Sequence, residues 1–299
     1  MIIDGHSHQG GEYRDMQSII SELDRLRVDK VVLCPADSER NDPVSIPGIG
    51  NRFNGPELNF VVNRFIRAAM AKENKWSAIE RSNKKIFEMA SLSGGRIIQF
   101  YWINPLKKGI SGILEEKLDL WKFAGIKLHQ ACHPFTLKSG MFSDIAEFAA
   151  SNNLPVFIHL YSKKDVLDFI SVSGSFRTNF IVGHLIGLEI FIKEKKMTGD
   201  NIYFDISCPS LVSADRIVLA INEFGADKII MGSDTPYGKS NLEQVLAIIR
   251  SLNLKEEEKE MIFSIFQLGD TLAREVMVPR IDIVGFEAGM PLSEAARTL

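Results

Sequence analysis

The feature that most constrains the fold is a regular alternation of short apolar runs with segments of helical periodicity, such as MQSIISELDRLRV. The runs are MIIDGH (1–6), KVVLCP (30–35), RIIQFYWI (96–103), AGIKLH (124–129), LPVFIHL (154–160), NFIVGHL (179–185), NIYFDIS (201–207) and KIIMGSD (228–234). Apolar strands alternating with helices are typical of a parallel sheet covered on its faces. Eight such units in 299 residues predict an α/β fold, the (β/α)8 TIM barrel, which typically has about 250 residues. An open doubly wound sheet is the alternative.

The domain boundaries follow from the same pattern. We assign residues 1–278 to the barrel and residues 279–299 to a C-terminal extension, which would pack on the barrel or on the partner subunit of a homodimer. The connection over residues 36–95 is unusually long and contains the polar stretch SERNDPVSIPGIGNRFNGPE. In a barrel this connection lies on the C-terminal face, where long loops form lids and pockets, but a disordered insertion would have a similar composition.

The composition argues against several classes of protein. Charged residues make up 24% of the chain and the net charge is only -3, so a basic nucleic-acid-binding surface is not expected. Three cysteines without a CxxC motif favour a reducing compartment over a disulfide framework. No run approaches the ~18 apolar residues that span a membrane. We expect a cytoplasmic protein that acts on a small molecule.

Chemically active residues lie at the C-terminal ends of the predicted strands. They are His6, His8, Lys127, His129, His159, His184 and Asp234. A single buried histidine is most simply a core residue bonded to a backbone carbonyl, but five histidines at one edge of one sheet are hard to explain in that way. In a barrel these strand ends converge on the mouth, where active sites of this fold are found.

Metal binding would explain this pattern. Neutral imidazoles and a carboxylate suit zinc, with manganese, iron and cobalt as alternatives, and a catalytic site leaves one position open for water or substrate. His6, His8, His159 and Asp234 supply these donor types. We therefore expect one divalent metal ion per chain, most simply Zn²⁺, which would activate a water molecule near neutral pH.

Four short motifs resemble those of a known family. DGHSH at the start of the chain, FIH on the fifth strand, GH on the sixth and GSDTP on the eighth are similar to the amidohydrolase superfamily. The match is closest to its amidohydrolase-related branch, which includes aminocarboxymuconate-semialdehyde decarboxylase-like enzymes. The resemblance implies a metal-dependent barrel whose ligands are His6, His8, His159 and Asp234. It also implies that His184 contacts the substrate or the activated water, and that Asp234 shuttles protons.

The fourth strand, GIKLH, contributes two candidate substrate-binding residues, Lys127 and His129. Lys127 would face an anionic substrate or pair with a carboxylate in the barrel core. In binuclear members of the superfamily a lysine at this position is carbamylated and bridges two metals, so that role is a further alternative. His133 is interpreted as a loop residue.

These residues leave three functions open. The first is a metal-dependent hydrolase that cleaves a C–N or C–O bond of an amide, lactone or ester, with Asp234 moving protons and His184 stabilising the oxyanion. The second is a non-oxidative decarboxylase (a lyase) of a small carboxylic acid, built on the same ligands. The third is a catalytically silent metal-binding barrel, which the presence of both Asp234 and His184 disfavours. The sequence alone ranks hydrolysis first.

Overall fold

The computed structural model describes residues 1–36, 58–71 and 76–264; for residues 70, 71 and 76–78 it describes the backbone only. Eight parallel strands lie side by side in chain order. They are β1 (Ile3–His8), β2 (Lys30–Cys34), β3 (Ile97–Trp102), β4 (Gly125–His129), β5 (Val156–His159), β6 (Phe180–Val182), β7 (Ile202–Asp205) and β8 (Ile229–Ile230). Seven strands lie within the predicted apolar runs, and β1 begins in its run (1–6) and continues to His8. The predicted (β/α)8 barrel is confirmed.

Hydrogen bonds between β1 and the residues that follow β8 join the two ends of the sheet. Gly5 N donates to Met231 O at 2.8 Å, and His8 N donates to Thr235 O at 2.6 Å. The backbone amide of Asp234 donates to His6 O at 2.8 Å. This closure excludes the open doubly wound sheet, and it brings the first and last strand ends of the chain together.

Helices separate the strands along the chain. They are α1 (Met16–Leu26), α2 (Leu58–Ala71), α3 (Trp76–Leu92), α4 (Ile110–Trp121), α5 (Gly140–Ser151), α6 (Lys163–Ser173), α7 (Leu188–Lys193), α8 (Ala214–Phe224), α9 (Asn241–Ser251) and α10 (Glu256–Ser264). Their starts follow local chemistry: the side chains of Asp15, Ser139 and Ser162 accept a hydrogen bond from a first-turn amide of α1, α5 and α6, respectively. Among these helices, none combines the length and apolar character needed to cross a bilayer.

The long connection between β2 and β3 contributes a helix that contacts several strand ends. Asn59, Asn63 and Arg67 are spaced four residues apart on α2 and therefore share one face. Asn59 donates to His184 O at 2.9 Å, and Arg67 donates to Gln130 O at 2.8 Å. Part of the connection thus lies against the C-terminal face, as expected. The polar stretch at 38–57 and the tail at 279–299 lie outside the described residues, so their roles stay predictions.

The barrel core extends directly beneath the polar residues. The Phe157 ring is 1% exposed and lies 3.9 Å from the His6 ring, centre to centre. Gly183 leaves room for it, because a Cβ at that position would come within 2.9 Å of the Phe157 ring. An apolar side chain of the core therefore packs directly against the His6 ring.

Candidate metal centre and proton-transfer site

Three of the four predicted metal ligands face one another across the closure of the barrel. His8 Nε2 lies 3.7 Å from Asp234 Oδ1, and His6 Nε2 lies 3.9 Å from the same oxygen. All three residues are buried, and their donor atoms are close enough together to share a single cation. The two histidines come from β1, and Asp234 is held beside them by its own amide bond to His6 O.

The protonation of each imidazole follows from the partner of its other nitrogen. His8 Nδ1 lies 2.5 Å from Pro35 O, and because a carbonyl only accepts, Nδ1 carries the proton. His6 Nδ1 lies 3.0 Å from Ser207 Oγ, whose own proton is donated to Asp205 Oδ2 at 2.6 Å. The unprotonated nitrogen of both rings is therefore Nε2, the one that faces Asp234. This donor set fits a divalent transition metal.

Burial keeps the histidines in the neutral form that metals require. Desolvation first, and then the charge of Lys127, lowers the pKa of His6 and of His8 well below its usual value. The same two causes lower the pKa of His184 to about 3. Desolvation raises the pKa of Asp234 well above its usual value, so its carboxylate is costly to keep ionised without a nearby cation.

His184 approaches the second oxygen of the Asp234 carboxylate. Its Nε2 is 4.0 Å from Asp234 Oδ2, whereas the β1 histidines approach Oδ1. His184 and Asp234 both have a positive φ, 54° and 57°, in the left-handed region that costs most residues energy. The turns after β6 and β8 hold both residues in this conformation. One carboxylate thus has one oxygen toward the metal ligands and the other toward a second imidazole.

His159, the fourth predicted ligand, is adjacent to this cluster but bonded elsewhere. Its Nε2 lies 2.6 Å from Asn63 Oδ1. Asn63 Nδ2 donates to Leu160 O and Tyr161 O at 2.9 and 2.8 Å, so the amide orientation is fixed and Oδ1 must accept from His159. The nitrogen of His159 left for a metal is therefore Nδ1. Neither metal-compatible group among the described residues includes His159, so its role as a ligand stays a prediction.

Both candidate substrate-binding residues of β4 line the same mouth. Lys127 is fully buried, with Nζ 2.8 Å from His6 Nε2 and 3.7 Å from the centre of the Phe157 ring. Burial lowers the pKa of Lys127. His129 stacks on the His159 ring at 3.9 Å and 10°. Their proximity to the cluster is consistent with substrate contact, which stays a prediction.

The comparisons with known proteins identify the family. The model of the amidohydrolase family, "Amidohydro_2: Amidohydrolase", matches residues 63–264. The chain belongs to the amidohydrolase family. The predicted membership is confirmed, and the FIH, GH and GSDTP motifs lie within the matched residues; the protein is a member of an enzyme family. No curated protein sequence gives a significant match.

Solved structures show where this amidohydrolase fold recurs. The 5-carboxyvanillate decarboxylase from Sphingomonas paucimobilis is 11% identical, with a TM-score of 0.61 over 88% of this chain and 96% of that one. A dihydroxybenzoic acid decarboxylase from Polaromonas sp., solved with manganese and 2-nitroresorcinol, is 12% identical, with a TM-score of 0.60 over 89% and 95%. A probable 2-pyrone-4,6-dicarboxylic acid hydrolase from Acinetobacter baumannii is 13% identical, with a TM-score of 0.59 over 88% and 96%. At these identities the similarity establishes the shared fold.

Two residues of this amidohydrolase that the sequence analysis did not single out join the site at the end of β7. Asp205 and Ser207 are both fully buried, and they contact both His6 and His184. His6, His184 and Asp205 also form a second group of metal-compatible donors. Ser207 Oγ is hydrogen-bonded to all three of these residues, so we interpret this group as a hydrogen-bond network. The one signal in the sequence was a carboxylate at the end of an otherwise apolar run, NIYFDIS.

Gly232 of the GSD motif is required by this network. A Cβ at Gly232 would lie 2.8 Å from Asp205 Oδ1 and 2.8 Å from His6 Cβ, closer than carbon atoms approach in proteins. The glycine therefore allows the segment that joins β8 to Asp234 to approach β1 and β7. A glycine is needed at this position because His6 and Asp205 leave no space for a side chain, which the GSD motif alone does not show.

Proposed function

We propose that the protein is a metal-dependent decarboxylase that releases carbon dioxide from a small, flat carboxylic acid. The observation that carries this proposal is the buried carboxylate of Asp234, which faces the Nε2 atoms of His6 and His8 with one oxygen and His184 Nε2 with the other. The 5-carboxyvanillate and dihydroxybenzoic acid decarboxylases share the fold over nearly their whole length, which supports decarboxylation more than the hydrolysis that the sequence alone ranked first.

The resident cofactor in this proposal is one divalent metal ion held by His6, His8 and Asp234, with His159 as the fourth ligand. The sequence favours zinc, whereas the dihydroxybenzoic acid decarboxylase from Polaromonas sp. was solved with manganese. Both ions accept imidazole and carboxylate donors. When bound, the ion would supply Lewis acidity that polarises an oxygen of the substrate.

The protein's own residues would move the proton that decarboxylation consumes. The bond between the carboxyl carbon and the substrate breaks, its electron pair remains on the substrate carbon, and that carbon takes up one proton as carbon dioxide leaves. Asp234, in its protonated form, would deliver this proton and become a carboxylate. Solvent would restore the proton through a bridging water molecule and the unprotonated Nε2 of His184, which lies 4.0 Å from Asp234 Oδ2 and would take up a proton only in passing. Lys127 faces the anionic substrate from the floor of the mouth.

Aromatic side chains around His8 support a flat substrate. The rings of Tyr237 and Trp102 meet the His8 ring edge to face at 5.4 and 5.7 Å. Trp102 also stacks on His129, with ring centres 5.5 Å apart and an angle of 11°. Such rings bind planar, unsaturated acids by offset and edge contacts.

A paired assay on metal-loaded protein tests this function against hydrolysis. The protein, reconstituted separately with Mn²⁺ and with Zn²⁺, is given a panel of hydroxybenzoic acids and a panel of lactones. We expect carbon dioxide release in proportion to acid consumed, with Asp234→Asn as the inactive control. Lactone opening without carbon dioxide release would establish the hydrolase. Failure of the fully metallated protein to turn over either panel would favour a silent metal-binding barrel.

A further inference from the structure

Ser207 lies between His6, a candidate metal ligand, and His184, the candidate proton-transfer residue. Its Oγ is 3.0 Å from His6 Nδ1 and 3.0 Å from His184 Nδ1. The same atom donates to Asp205 Oδ2 at 2.6 Å. A single buried hydroxyl is thus hydrogen-bonded to a candidate metal ligand, to the candidate proton-transfer imidazole and to a carboxylate.

The chemistry of a hydroxyl decides the direction of these bonds. A serine hydroxyl has one proton to donate and two lone pairs that accept. Asp205 accepts at both oxygens, from the backbone amides of His184 and Ser207, and it is the acceptor of the Ser207 hydroxyl proton. Both lone pairs of Ser207 are then available to the two imidazoles, and each must donate from Nδ1. The unprotonated Nε2 of His6 and of His184 is therefore directed toward Asp234.

Asp205 is fixed independently of the histidine rings. Its Oδ2 accepts from the backbone amide of His184 at 3.0 Å, and its Oδ1 accepts from the backbone amide of Ser207 at 3.1 Å. Its Oδ2 is farther from the ring nitrogens than Ser207 is, 3.4 Å from His6 Nδ1 and 3.6 Å from His184 Nδ1. The hydroxyl is thus the primary contact of both rings, and Asp205 holds the hydroxyl in place.

We propose that Ser207, anchored by Asp205, is a shared positioning residue that sets the tautomers of His6 and His184 together, the first for metal binding and the second for proton transfer. The roles given to the two histidines rest on the proposed function, but the shared hydroxyl does not. Ser207 O also lies 3.4 Å from His184 Nδ1, but the hydroxyl is the nearest acceptor of both rings. Its removal should therefore disturb metal affinity and proton transfer in the same variant. Loss of a hydrogen-bond partner behind a metal ligand typically costs about 10- to 100-fold in metal affinity or activity.

The experiment compares Ser207→Ala with a matched control, Ser7→Ala. Ser7 is an equally buried serine between His6 and His8, but its hydroxyl donates to Val32 O at 2.7 Å, away from the shared network. Nitrogen-15 NMR of the six histidines in metal-free, full-length protein reports each tautomer directly. Mn²⁺ affinity by equilibrium dialysis and kcat at saturating Mn²⁺ report the two functional consequences.

We expect wild type and Ser7→Ala to show protonated Nδ1 at both His6 and His184. Ser207→Ala should lose this preference at both residues, bind Mn²⁺ about 10- to 100-fold more weakly, and lose kcat at saturating Mn²⁺ with KM little changed. Asp205→Asn, which preserves the shape of the side chain, should shift the same two tautomers and serves as the test if Ser207→Ala does not fold.

Three outcomes would overturn the proposal. The first is protonated Nε2 at either histidine in the wild type, and the second is a change at only one of the two rings in Ser207→Ala. The third is a weaker Mn²⁺ affinity without any loss of kcat at saturating metal. If the tautomers behave as expected but the protein binds no metal and turns over no acid, the proposed function fails while the positioning role stands.

Discussion

Replacing Asn63 by alanine tests whether α2 is docked on the barrel mouth by its polar face. The Asn63 side chain is 1% exposed and makes three hydrogen bonds, two to the carbonyls of Leu160 and Tyr161 and one from His159 Nε2. At about 1 kcal/mol of net stability for each, alanine should destabilise the docked helix by about 3 kcal/mol. Because about 1.4 kcal/mol is a factor of ten, the opening equilibrium of α2 should rise by roughly 100-fold.

Asn59→Ala is the matched control on the same helix. Asn59 is also buried, but its side-chain amide makes one described hydrogen bond, to His184 O. Its loss should cost about 1 kcal/mol, or roughly a fivefold change in the opening equilibrium. Comparing two Asn→Ala changes removes the effect of side-chain size and of helix propensity.

The assay is amide hydrogen exchange followed by mass spectrometry. Exchange of the amides of α2 should accelerate by roughly 100-fold in Asn63→Ala and by much less in Asn59→Ala, while the amides of β5 remain protected in both. Equal acceleration in the two variants would refute the reasoning, since it would mean that the number of hydrogen bonds does not set the docking energy. Loss of β5 protection would show that α2 does not open separately.

Three further predictions follow from the site and its surroundings. Asp234→Asn should keep part of its metal and lose about 10² to 10⁴ in kcat, because the amide can coordinate but cannot carry a proton; a metallated variant with wild-type kcat would exclude the shuttle. His8→Ala should lose metal, whereas His184→Ala should keep it and lose rate, as metal analysis and kcat on one preparation would show. Burial lowers the pKa of His133 from 6.5 to about 3. Between these pH values only the unfolded protein binds a proton at His133, so the free energy of unfolding should decrease as the pH is lowered from 6.5 toward 3. His133→Asn should reduce that slope by up to about 1.4 kcal/mol per pH unit in urea titrations, and an unchanged slope would exclude the linkage.

The residues at the strand ends show what the local sequence pattern can predict. His6, His8, His129, His159 and His184 were placed at the mouth from the sequence alone, because each follows an apolar run and parallel strands in a barrel end on one face. Periodicity and residue chemistry are local properties, so a single sequence reveals them. Closure of the barrel then brings Asp234, after the last strand, next to His6 and His8 on the first.

Asp4 shows the limit of the same reasoning. On a regular strand it would share a face with His6 and His8, yet its carboxylate accepts from Ser233 N at 2.7 Å and from the Tyr13 hydroxyl at 2.9 Å. The pairing of β1 with β2 shifts register between Asp4 and Ser7, so the simple alternation is interrupted there. An irregularity of this kind depends on the neighbouring strand.

The order of apolar runs and helical segments predicted the barrel, with an open sheet as the alternative, and it showed which candidate residues lie at the strand ends. The tertiary structure alone decided which nitrogen of each imidazole is free, because that choice belongs to partners far away in the chain. His6 is oriented by Ser207, 201 positions later, and His159 by Asn63, 96 positions earlier. The direction of a hydrogen bond depends on both of its groups. The pattern of one segment cannot reveal a partner that only folding brings into contact with that segment.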